Sequence, residues 1–236
     1  MRTTWIVLLG VCVAFVVSSC KVEKPGNEGG STKVIEDNAQ QAALQAPTAK
    51  AAAVVAGMTT RADEIVILDC DLGDKPNNLG GDLGAWDKDP ADDTQSCQMR
   101  FELGDDALSN PNGYSLRLTY DVESPNPAYN GFWTKLEGED FSAYSVLNLY
   151  VRGDAAQGYT KKIKLEIKDT QNATARYLLS GITNTWQKFS IPFSKIPGMT
   201  RIDLTSMNEF VVVFDDMNSN PKTGSILIDN VSVSKS

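Results

Sequence analysis

The chain has 236 residues, with 22 basic against 30 acidic side chains for a net charge of −8, and it contains no histidine. Without imidazole, a Ser-His-Asp or Cys-His mechanism and any histidine-ligated metal centre are excluded. The acidic balance makes nucleic acid and anionic lipid surfaces poor partners and leaves neutral glycans or bound cations as the better fit.

The N-terminus reads as an export signal. Met1-Arg2 is a short positive start, Trp5 to Val17 is nearly uninterrupted apolar sequence, and Val17-Ser18-Ser19-Cys20 ends it with small residues before a cysteine. The run is shorter than the roughly 20 residues of a membrane span and ends in a processing site, so it is a signal peptide and not a transmembrane helix. The pattern resembles the bacterial lipobox, which implies cleavage before Cys20, lipidation of that cysteine and membrane attachment through its acyl chains. Lys21 follows the cysteine where a retention signal would have an aspartate, which favours an outer-membrane address. Residues 1–19 are thus expected to be signal and 20–61 a tether. Pro25 to Thr32 has flexible-linker composition, and 38–57 is rich in Ala and Gln without a wide apolar stripe.

Residues 62–236 remain as one domain, long enough for a two-sheet core. With Cys12 removed and Cys20 lipidated, Cys70 and Cys97 are the pair expected to form a disulfide in an exported protein. A bridge of that span contributes about 3 kcal/mol on the chain-entropy estimate.

Short alternating segments then follow one another. Glu64 to Asp71 is rich in branched residues, and Leu72 to Thr94, dense in Gly, Asn, Asp and Pro, reads as one long loop that includes Trp86. Its acidic run Asp87, Asp89, Asp92 and Asp93 lacks the spacing of a helix-loop-helix calcium site and reads as a solvated loop. Cys97–Leu103, Tyr114–Val122, the stretch from Tyr129 to Asp154 with its central turn, and Lys161–Lys168 have strand character, as do Arg176–Leu179, Trp186–Ile191, Phe210–Phe214 and Ser225–Val233. A short helical turn is expected at Ile202–Met207, and no long helix or internal repeat is present. Some nine short strands parted by turn signals predict an all-β antiparallel sandwich with jelly-roll connections.

Alternation nominates a ligand face. Tyr150 and Arg152 oppose the core positions of their strand, Arg117 does so in its own, and Tyr129 and Trp133 flank Gly131. An aromatic ring stacks on the apolar face of a pyranose while Arg, Asn or Asp take its hydroxyls. A central tryptophan in a sandwich is more often core than surface, because its size favours burial, which sets a core placement of Trp133 against the ligand face; Trp186 is assigned to the core, and Trp86 can rim a site or cap the sheet.

The order of these pieces resembles a family: the jelly-roll carbohydrate-binding modules close to family eleven, which also look like the complex I intermediate-associated domain. The matching segments are Ile67 to Asp71, Asn78-Leu79-Gly80-Gly81, Ser115 to Asp121, Gly131 to Leu136, Leu147 to Asp154, Lys164 to Asp169, Trp186 to Pro192 and Ile226 to Val231, together covering most of 64–234. The resemblance implies a galactose-binding-like jelly roll without catalysis, often binding polysaccharide on its concave sheet. It also implies a structural Ca²⁺ clamping the first strand to the last, with Asp69, Asp71 and Asp229 as candidate ligands.

The expected protein is a monomeric, non-catalytic polysaccharide-binding lipoprotein of the cell envelope. Two alternatives keep the chain export signal but change the role. One is an assembly lipoprotein whose jelly roll binds no sugar. The other is a carboxylate-based glycoside hydrolase, which needs no histidine but for which no strand-borne acidic cluster is found.

Overall fold

A computed structural model describes residues 63–236; the signal peptide, Cys20 and the tether lie outside the described residues. The domain is all-β. Eleven strands form: β1 (Glu64–Leu68), β2 (Leu83–Asp87), β3 (Ser96–Leu103), β4 (Tyr114–Asp121), β5 (Tyr129–Glu139), β6 (Val146–Gly153), β7 (Lys162–Asp169), β8 (Thr174–Ser180), β9 (Gln187–Pro192), β10 (Met207–Asp215) and β11 (Thr223–Ser234). One sheet runs β3-β4-β11-β6-β9, with β1 also paired to β11, and the other runs β2-β5-β10-β7-β8. Every described pairing is antiparallel.

The two sheets bury the apolar side of each alternation against one another. From one come Leu116, Leu118, Tyr120, Leu147, Leu149, Val151, Ile226 and Ile228; from the other, Phe132, Leu136, Ile163, Leu165, Phe210, Val212 and Phe214. Tyr120 and Phe214 stack across the interface with ring centroids 4.2 Å apart, a contact that fixes how the sheets meet.

Three expectations are corrected. The segment 72–94 is not one loop, because Leu83–Asp87 pairs with β5; three glycines and five aspartates among residues 80–93 mask a strand that a neighbour, not its own propensity, holds in place. Helical turns form at Phe193–Lys195 and Met199–Arg201, ahead of the 202–207 segment, whose end already belongs to β10. Cys70 and Cys97 are separate buried thiols. Cys70 Sγ lies against the Ile228 carbonyl, and Ile228 pairs with Leu116, whereas Cys97 pairs with Tyr120. Leu116 and Tyr120 are four residues apart on β4, about 13 Å at the strand rise, well beyond the reach of a disulfide.

Candidate functional site

The solvent face of the five-stranded sheet carries a cleft of about 680 Å³. Strand register lays its floor out in rows. Lys135, Glu209, Lys168 and Thr174 form one row across β5, β10, β7 and β8. Gly84, Trp133, Val211, Glu166 and Arg176 form the next, and Trp86, Gly131, Val213, Lys164 and Leu178 a third. Tyr129 and Asp215 close the end.

Two glycines shape the aromatic part. A Cβ on Gly84 would meet the Trp133 indole at 3.2 Å, so the missing side chain lets Trp133 lie over β2. On Gly131, directly opposite Trp86, a Cβ would come within 1.9 Å of the Val212 carbonyl oxygen, so only glycine permits this approach of β5 to β10. Trp86 packs edge-on against Tyr129, centroids 5.8 Å apart. Lys88 lies 5.4 Å from the Tyr129 ring and Lys135 5.4 Å from that of Trp133.

The charged part is a ladder. Glu209 accepts from Lys135 at 2.7 Å and from Lys168 at 2.8 Å; Glu166 accepts from Arg176 at 2.7 Å; Lys164 reaches Asp215 at 3.0 Å. Burial works to raise the Glu209 carboxyl, but hydrogen bonds from Lys135 and Lys168 outweigh it and hold the group below its ordinary value. Asp215 behaves alike: burial opposes, Lys164 and Asn218 prevail, and the pKa is lowered. The cations Lys135, Lys164, Lys168 and Arg176 thus each have a carboxylate within the cleft. The surface offers donors and acceptors at many angles with little net charge.

Of the five residues nominated from sequence, only Tyr129 and Trp133 lie in this cleft. Trp133 is half-buried on the outer face and does not fill the core. Tyr150, Arg152 and Arg117 lie on the other sheet, on the opposite side of the sandwich. Arg117 is held by Glu102 and Asp154, and Arg152 is bound to Asp105 and lies 5.4 Å from the ring of Trp186. Trp186 is therefore a half-buried surface ring and not a core residue. Tyr150 lines a smaller depression with Asn148, Lys188 and Asn230. Sequence reasoning missed Lys135, Lys164, Glu166, Lys168, Arg176, Glu209 and Met217 as residues of the site. Their alternation was visible, but nothing local showed which strands stand beside them.

Asp69, Asp71 and Asp229 do approach one another, around Cys70. Burial first, then the charge of Asp229 and of Asp69, pushes the Cys70 thiol well up. Both Asp229 oxygens already accept backbone N–H bonds, from Ala107 at 2.8 Å and Asn230 at 2.7 Å, and Asp69 is bound by Asn78 and by the Asp71 N–H. Among the described residues no three acidic or thiol side chains are grouped so as to hold a metal ion. As placed, these residues do not fit the expected calcium clamp.

The family model for carbohydrate binding domain 30 matches residues 82–235. Among solved structures, the family 11 carbohydrate-binding module of the cellulosomal cellulase Lic26A-Cel5E of Clostridium thermocellum is similar with a TM-score of 0.52 at 15% identity, over 73% of this chain and 95% of that one. A family 11 module from the same organism, in complex with a β-1,3-1,4-mixed-linked tetrasaccharide, gives 0.52 at 16% identity, over 74% and 96%. An exo-β-agarase gives 0.55 at 10% identity, over 72% of this chain and 25% of that one. At these identities the likeness is one of fold. No curated protein matches.

Proposed function

Since this chain belongs to the carbohydrate-binding domain 30 family, we propose that the cleft over Trp133 binds a neutral polysaccharide and does no chemistry on it. The observation that carries this reading is the pairing of an indole laid across Gly84 with a charge ladder that neutralises itself. The indole face takes the C–H face of a sugar ring, and the ladder's ammonium and carboxylate groups take hydroxyls on either side. A uronate would find its cations already committed. The mixed-linked tetrasaccharide bound by the family 11 module makes β-glucans the first class to try.

Catalysis by paired carboxylates needs one group protonated to act as the acid. Glu209 and Asp215 are both pulled the other way by their lysines. The cleft therefore holds ionised acceptors suited to hydroxyls.

The lipobox at Cys20 supports attachment of this binding domain to a membrane of the cell envelope, outer membrane favoured, through a tether at 20–61. Anchored in this way, a monomer would keep captured polysaccharide at the cell envelope.

The test is affinity electrophoresis of the full chain through gels containing soluble β-glucans, xylan, mannan or polygalacturonate. Retardation by a neutral polysaccharide, lost in Trp133→Ala with folding intact, is the expected result. A folded protein retarded by none of them would overturn the reading.

A further inference from the structure

Met217 is 90% exposed, the most exposed of the large apolar side chains among the described residues. It lines the cleft at the end where Trp86 and Tyr129 pack together. Exposure of this degree is ordinary on a mobile loop, but the loop after β10 is tied down. The Asp215 carboxylate accepts from the Met217 N–H at 3.1 Å and the Asn218 N–H at 2.8 Å, and it also receives the Asn218 amide at 2.8 and 3.0 Å. The Asp216 N–H donates to the Ala128 carbonyl at 3.1 Å, the Ser219 N–H donates to the Asp215 carbonyl at 3.0 Å, and Lys164 pairs with Asp215 from the cleft floor.

A rigid turn that holds an apolar thioether in water gains nothing in the unbound protein, since that surface is left unburied. The same geometry is useful if the missing neighbour is a ligand. Resting on the polysaccharide-binding reading, we propose that Met217 is an affinity-determining contact of the cleft: it forms an apolar wall, with Trp86 and Tyr129, against the C–H face of one sugar ring. Methionine suits this place because its unbranched, polarizable side chain adapts to an irregular surface. The chemistry also makes the contact sensitive to peroxide. The Met217 sulfur attacks hydrogen peroxide, the O–O bond breaks, the sulfur keeps one oxygen as the sulfoxide and water leaves. The product is polar where the ligand needs an apolar wall. Met199 and Met207 are buried and Met99 is packed against the core, so Met217 is the most accessible methionine among the described residues.

The experiment compares wild type, Met217→Ala and Met217→Leu by titration calorimetry on the full chain. The ligand is the neutral polysaccharide that retards the wild type most, measured before and after mild peroxide treatment. Met217→Ala is expected to weaken binding about tenfold with an unchanged melting temperature, and leucine, of similar volume, to restore the loss. Peroxide should weaken the wild type to a similar extent and spare Met217→Leu. If Met217→Ala binds as the wild type does while Trp133→Ala does not bind, the contact is wrong and the cleft reading stands. If the wild type binds no polysaccharide, both fall together.

Discussion

At the scale of single residues, the domain places one carboxyl group against its own preference. Asp229 is fully buried in β11, and its pKa is pushed up to about 7, mainly by burial and further by Asp106 and Asp71, against the lowering effect of the two backbone N–H donors. Folded protein therefore binds this proton more tightly than the unfolded chain, where the group titrates near 3.8. Stability should fall as pH rises from about 4 to about 7, by up to about 4 kcal/mol, and level off above. The lowered carboxylates Glu102, Asp154, Glu209 and Asp215 act in the opposite direction, and only as pH falls below their unfolded values. Thermal melts at pH 5 and pH 8 in the presence of EDTA, so that no cation offsets the repulsion, should show a lower Tm at pH 8. Asp229→Asn should flatten that slope, whatever its effect on the absolute Tm.

At the scale of strands, β5 and β6 explain the divided fate of the nominated site. Both alternate cleanly, and they are joined by a short turn, so their polar faces read as one surface. The structure sends β5 to one sheet and β6 to the other. Outward from β5 is the cleft; outward from β6 is the far side. Arg117, on β4 in the same sheet as β6, supports this division. Glu102 and Asp154 both bind its guanidinium, which is mostly buried. Arg117→Ala leaves the partly buried Asp154 carboxylate without its cation and leaves Glu102 with only the exposed Arg100. Allowing for their residual exposure, it should cost about 1–3 kcal/mol in chemical denaturation. Polysaccharide affinity should be unchanged within error. A loss of affinity in a folded Arg117→Ala protein would place the ligand on the wrong sheet.

At the scale of the molecule, an overall charge of −8 surrounds a cleft whose charges cancel. Long-range attraction then adds little to binding, and contact with ring faces and hydroxyls dominates. Affinity for a neutral polysaccharide should change less than about twofold between 50 and 500 mM NaCl, because screening acts on charge pairs between partners and there are none. A steep fall with salt, read in the same calorimeter, would instead indicate an anionic ligand held by the lysines.

What the sequence determined by itself is everything governed by local periodicity and composition. Period-two alternation marked the strands from β3 onward and their inward residues, and the absence of long apolar or helical periods left an all-β sandwich as the remaining architecture. The ordered motifs around Asn78, Trp133 and Ile226 carried the family. Three things were decided only by tertiary structure. β2 exists because β5 lies beside it. Cys70 and Cys97 stay apart because their partners on β4 lie four residues apart. The cleft gathers Trp86, Trp133, Lys135, Glu166, Arg176 and Glu209 from five strands, over the 124 residues from Trp86 to Glu209. The physical reason is common to all three. A strand's own sequence dictates which of its side chains share a face, but hydrogen bonds to non-local neighbours decide which sheet it joins, and therefore what that face looks upon.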